Sequence, residues 1–187
     1  TKKHIYRNTT MTNAWSAAGL LTNSGSITTT TTGASFSTYA AYPLIGVANL
    51  YFESRMAFSS LPVSNTFVDF GGGILNSANP YAPADGVYFR LDSAGIKAVV
   101  NINGTETETL LEFTYAVNRK YTYIISVNQR EVKFWIDDVL YLRAETGVAQ
   151  NQPVMAAALP FFIRHSIVGG AAGGILQATC AYYNVSV

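Results

Sequence analysis

The sequence predicts a single all-β domain, built as a sandwich of two antiparallel sheets. Three observations carry this: apolar residues recur with a period of two, turn dipeptides separate the runs, and no segment keeps a long 3.6-residue apolar period. A chain of 187 residues has the length of one domain and can bury roughly 70% of its unfolded surface, enough for its own core.

The strands can be placed in order. In Asn49 to Ser59, Leu50, Phe52, Met56 and Phe58 fall on one face and Tyr51, Glu53 and Arg55 on the other. Thr66 to Phe70 is a short strand expected to end in a glycine turn at Gly71 to Gly73. Val87, Phe89 and Leu91 then alternate with Tyr88, Arg90 and Asp92, and after Ser93-Ala94-Gly95 the row resumes at Ile96, Ala98 and Val100. Asn103-Gly104 suits a type I′ hairpin turn, because both residues tolerate positive φ. Leu111, Phe113 and Tyr115 are expected to continue the alternation. Tyr121, Tyr123, Ile125 and Val127 form an inward row, as do Val132, Phe134 and Ile136. Asp137-Asp138 turns the chain into Val139 to Leu142. Pro153 to Leu159 allows one helical turn, Phe161 to Ile167 alternates again, and the last strand runs from Ile175 to Val187. The expected core is Leu50, Phe52, Phe58, Phe89, Leu91, Phe113, Tyr123, Ile125, Phe134 and Ile136.

Charge is scarce and unevenly placed. Charged residues are 12% of the chain, about half the usual share. None occurs from Asn8 to Phe52, every acid lies between Glu53 and Glu145, and after Glu145 only Arg164 is charged. A net charge of +1 offers no basic surplus for phosphate binding, so direct nucleic-acid binding is not expected. The charge-poor tracts hold Trp15, Phe36, Tyr39, Phe161 and Tyr182, which argues against disorder and for burial, partly against neighbouring subunits. Residues 1–187 are taken as one domain. Residues 1–48 supply charge-poor strands, or an arm packed on the sandwich or a neighbour, and residues 49–187 supply the sandwich core. The five threonines Thr28 to Thr32 suit an exposed or inter-subunit edge strand as well as a linker, and Gly169 to Gly174 suits a flexible connection.

No catalytic, cofactor or metal site assembles from the sequence. Cys180 is the only cysteine, a buried hydrophobe or a bridge between subunits, so no internal disulfide forms. No apolar run of signal-peptide type follows the first residues, and none has membrane-helix length. Asp69-Phe70-Gly71 copies the kinase metal-binding tripeptide without the accompanying kinase motifs. His4 and His165 lack ligands at metal spacing, and Asp85, Asp92, Asp137 and Asp138 lack EF-hand spacing. Glu106 and Glu108 share a strand face but sit among threonines, where solvent exposure is expected. Glycoside hydrolysis would need two carboxyl groups across one cleft, so no hydrolase activity is expected.

Lys120 to Leu142, KYTYIISVNQREVKFWIDDVLYL, resembles a recurrent stretch of concanavalin A-like lectin/glucanase domains, in which a V-x-F-x-I-D strand follows an aromatic one. Asp85 to Asn103 resembles the preceding hairpin, Asn49 to Ser59 an earlier core strand, and Ile175 to Val187 the closing strand that pairs with the chain's beginning. The resemblance implies a concanavalin A-like jelly-roll β-sandwich. It does not extend to the glucanase Glu-x-Asp-x-Glu strand or the calcium/manganese loop of legume lectins. FESRMAFSSLPVSNTFVDFGGG and PADGVYFRLDSAG further resemble jelly-roll virion proteins of tailed bacteriophages, such as head-decoration and accessory tail proteins.

Together these imply a non-enzymatic, homo-oligomeric structural protein of a bacteriophage virion, assembled in the host cytoplasm. Its partners would be the major capsid or other virion proteins, with no cofactor, nucleic acid or membrane. The alternative is a lectin-like module recognising a surface glycan, with Tyr88 and Trp135 as outward aromatics able to stack on sugars. For Trp135, packing beneath a loop or against another subunit is the favoured reading.

Overall fold

The computed structural model describes residues 4–8, 11–23, 31–44, 48–145, 158–168 and 177–187. Its strands in chain order are β1 (His4–Asn8), β2 (Thr12–Ser16), β3 (Gly19–Asn23), β4 (Thr32–Thr38), β5 (Tyr42–Pro43), β6 (Leu50–Phe58), β7 (Thr66–Leu75) and β8 (Pro83–Asp92). There follow β9 (Gly95–Ile102), β10 (Thr105–Leu110), β11 (Tyr121–Val127), β12 (Glu131–Ile136), β13 (Val139–Glu145), β14 (Ala158–Leu159), β15 (Phe161–Ile167) and β16 (Gln177–Ser186). No helix occurs among the described residues.

Two seven-stranded antiparallel sheets face each other. The first has the order β1-β4-β15-β7-β8-β9-β10 and the second β13-β12-β11-β6-β16-β3-β2. The N-terminal strands are shared between the sheets, with β1 and β4 in the first and β2 and β3 in the second. Closing strand β16 pairs with β3, so the chain's two ends meet. The charge-poor tracts thus lie at one lateral end of both sheets, while β10 and β13 edge the other end with Glu106, Glu108 and Arg143.

The core fills with the predicted inward rows. Phe70 stacks on Phe89 with centroids 5.5 Å apart, Tyr123 meets both edge-on at 5.0 and 5.1 Å, and Phe134 meets Phe89 at 5.2 Å. Both expected two-residue turns form with positive φ, at Asn103-Gly104 and at Asp137-Asp138.

Four details differ from the sequence-based expectations. Gly71 to Gly73 do not turn the chain: they continue β7 opposite β8. Side chains would not fit there. A Cβ on Gly72 would lie 2.3 Å from the Phe52 ring on the inner face, and one on Gly73 would lie 2.7 Å from Phe162. Second, β10 ends at Leu110, and Leu111 to Tyr115 form no strand as the chain crosses to the other sheet, although Leu111, Phe113 and Tyr115 still turn inward in alternation with exposed Glu112 and Thr114. Phe113 is only half-buried, packed edge-on against Tyr121 and Tyr141. Third, Thr32 opens β4, an inner strand that pairs with β15 from Thr32 to Ser37 and with β1 from Ala34 to Thr38. Fourth, both faces of β15 are buried. The helical turn proposed for 153–159 lies outside the described residues except Ala158–Leu159, which is a strand paired with β5. The 28–32 tract before Thr31 and the 169–174 loop lie outside them too.

Candidate functional site

The outer face of the first sheet is closed by a charge network. Arg164, Asp69 and Arg90 stand directly opposite one another on β15, β7 and β8. Asp69 is fully buried and accepts from Arg90 Nε at 2.8 Å and from Arg164 Nη1 at 2.5 Å. Burial alone would raise the Asp69 pKa, but the two guanidinium groups win and hold it below the ordinary range. Arg90 also donates to Glu106 and Glu108, and Lys97 bridges Glu108 and Asp92. Glu106 and Glu108 are exposed, as the sequence leads one to expect, and both are tied to the buried Arg90. Arg164 Nε donates to the Pro80 carbonyl at 2.9 Å, which ties down the 76–82 loop.

This network corrects the placement of Tyr88. It does point away from the core, but it is fully buried. Its ring packs edge-on against Phe162 at 5.5 Å, in the room left by the glycines, and its hydroxyl donates to Glu106 at 2.5 Å. Tyr88 cannot stack on a sugar.

His165 is also buried. Its Nδ1 shares a 3.3 Å hydrogen bond with Thr22 Oγ1, and Nε2 has no partner. Burial, then the neighbouring Arg164 charge, lowers its pKa to about 3, so the ring stays neutral. The Cys180 thiol is buried as well, with its pKa pushed up to about 12. Among the described residues, no three His, Cys, Asp or Glu side chains gather as metal ligands.

Trp135 is different. It is half-exposed on the outer face of the second sheet, in a cleft of about 290 Å³ lined by Tyr51, Glu53, Ile124, Asp138 and Ser186. Register builds the cleft: Trp135 lies opposite Ile124, Ile124 opposite Glu53, and Tyr51 opposite Ser186. A bulge between β12 and β13 at Phe134/Trp135 sits beside the indole, a place where strands commonly re-aim a side chain. The Asp137 carboxylate accepts from Thr122 N–H at 2.8 Å, pinning the turn that carries Asp138 to the rim. Asn49 donates to the Tyr51 hydroxyl at 3.3 Å, and Tyr182 O–H donates to Glu53. That bond to Glu53 raises the Tyr182 pKa. The cleft therefore combines two aromatic faces, two carboxylates and hydroxyl groups on a rigid sheet. Tyr51, Glu53 and Asp138 were not singled out as binding residues from the sequence. Their outward phase on the strands was visible, but their convergence depends on pairings between distant segments.

Two facing antiparallel sheets of this order define a concanavalin A-like jelly-roll sandwich. No protein-family model matches the chain, and no curated protein sequence matches it. Solved structures do. The carbohydrate-binding module CBM66 from Bacillus subtilis is similar with a TM-score of 0.63 at 14% identity, over 97% of this chain and 95% of that one. The metal-free carbohydrate recognition domain of Emp46p gives 0.66 at 9% identity, over 98% and 87%. An alginate lyase from Corynebacterium sp. gives 0.61 at 13% identity, over 93% and 80%. At these identities the likeness establishes the fold.

Proposed function

We propose that this domain is a non-catalytic carbohydrate-binding module, whose ligand is a surface polysaccharide held in the Trp135 cleft. The carrying observation is a half-exposed indole beside two carboxylates on the outer face of the sheet. A sugar ring has an apolar C–H face, which suits Trp135 and Tyr51, and a hydroxyl rim, which suits Glu53, Asp138 and Ser186. The carbohydrate-binding neighbours of the same fold support this assignment. Binding without cleavage fits the carboxylates: Glu53 is engaged by Tyr182 and Asp138 stands exposed on a turn. Neither side chain is buried.

A second reading is an assembly protein of a bacteriophage virion, decorating the capsid through protein contacts. It draws on the charge-poor lateral end, where Trp15, Tyr39 and Tyr182 are exposed. A glycan array carrying β-glucans, galactans and alginates separates the two. The module should bind a discrete subset, lose it with Trp135→Ala, and release no new reducing ends. A blank array, with the protein found at fixed copy number in purified particles, would transfer the assignment to the virion.

A further inference from the structure

Strand β16 uses its two sides unequally. On one side it pairs with β6 from Ala178 to Ser186. On the other it pairs with β3 only from Gln177 to Cys180, because β3 starts at Gly19, where the hairpin from β2 has just turned. A Cβ on Gly19 would lie 2.0 Å from the Cys180 carbonyl oxygen, so the hairpin tip is seated against β16 at that point. Beyond it, from Ala181 to Ser186, no strand among the described residues lies on that side. There the Cys180 thiol donates to the Tyr182 carbonyl at 3.1 Å.

The result is an open lane in the second sheet. Inward-facing Tyr183 and Val185 pack on the core yet remain only half-buried. Apart from the bulge between Cys180 and Tyr182 at its head, the segment lacks the usual protections of a free edge, since Ala181 to Val187 holds no charged side chain and no proline. At the head of the lane is a cleft of about 340 Å³, lined by Trp15, Leu20, Cys180, Ala181, Tyr182 and Tyr183. Trp15 there is 60% exposed, and Val187, just past the strand, is 72% exposed.

We infer that a second copy of this chain fills the lane, with β16 pairing antiparallel to β16 about a two-fold axis at Asn184. In that register Tyr182 meets Ser186, Tyr183 meets Val185, and Asn184 meets its own counterpart. Continuing one step, Val187 of each copy comes opposite Ala181 of the other, at the cleft beside Trp15. Three features select a second copy. The register gives two aromatic–β-branched cross-strand pairs, placed where the inward residues are only half-buried. No like charges oppose each other, because the segment has none. The pairing is isologous, so it closes at two chains rather than propagating.

Sedimentation or light scattering across a dilution series tests this independently of any glycan. Wild type should form a concentration-dependent dimer. Asn184→Lys, which sets two ammonium groups face to face on the axis, should be monomeric with an unchanged circular dichroism spectrum. Asn184→Thr should stay dimeric, and Trp15→Ala should dimerise more weakly. A synthetic peptide spanning residues 180–187 should compete with the dimer. A monomer at every concentration would overturn the inference, as would a dimer that survives Asn184→Lys. A wild-type monomer that instead accepts an unrelated extended peptide would also overturn it.

Discussion

Asp69→Asn should lower the unfolding free energy by about 3–5 kcal/mol, measured as a drop in the denaturant midpoint at constant slope. The substitution changes charge and almost nothing in shape. In the native protein the carboxylate is fully buried and lies between Arg90 and Arg164, which are themselves nearly buried. Removing its charge leaves two guanidinium groups in a low-dielectric setting, with Glu106 and Glu108 still serving Arg90 but, among the described residues, no second carboxylate paired with Arg164. The cost is that of an uncompensated buried cation rather than of a lost surface bridge. The effect has a pH signature. Because the folded pKa of Asp69 is depressed, its contribution is present above the unfolded value of about 3.9 and fades as pH falls through the folded value. Wild type and Asp69→Asn should therefore differ fully near neutrality and converge in strong acid. Equal stabilities near neutrality would show that the network contributes nothing.

Phe134→Ala should cost a similar amount, about 3–5 kcal/mol, but without that pH dependence. Phe134 is fully buried on the inner face of β12 and meets Phe89 edge-on at 5.2 Å. Truncation removes apolar contact from both sheets and leaves a void that their paired strands cannot readily collapse to fill. The adjacent residue gives the contrast. Trp135→Ala removes a larger ring, yet one that is half-exposed on the opposite face, and should cost clearly less stability. If the two variants were equally destabilised, the assignment of faces on β12 would be wrong.

The inner face was legible because alternation directly reports a buried row: Phe52, Phe89, Tyr123, Ile125 and Phe134 all occupy the core. Turns with a local chemical cause, such as Asn103-Gly104, were legible for the same reason. Alternation cannot say what covers the other face. Tyr88 has the outward phase expected of it, but Arg164, Asp69 and Arg90 meet across it from three separate strands, and Phe162 closes over its ring. The glycines at 71–73 misled for a related reason. Glycine inside a strand looks like a turn until the rings of Phe52 and Phe162, remote in sequence, are seen to need the space. The outward phase of Trp135 was legible because it alternates with core residues on β12. Its cleft partners Glu53 and Ser186 are brought near only by the β6–β11 and β6–β16 pairings.

The chain has two tryptophans, Trp15 and Trp135, so Trp15→Phe leaves the indole of the cleft as the sole tryptophan reporter. Titrating that variant with each polysaccharide while following tryptophan emission reports directly on contact at Trp135. A saturable change in intensity and wavelength is expected with the binding glycans and no change with the others. Saturable glycan binding detected by calorimetry with no change in Trp135 emission would contradict the assignment of the cleft. Absence of binding to any glycan would contradict the function.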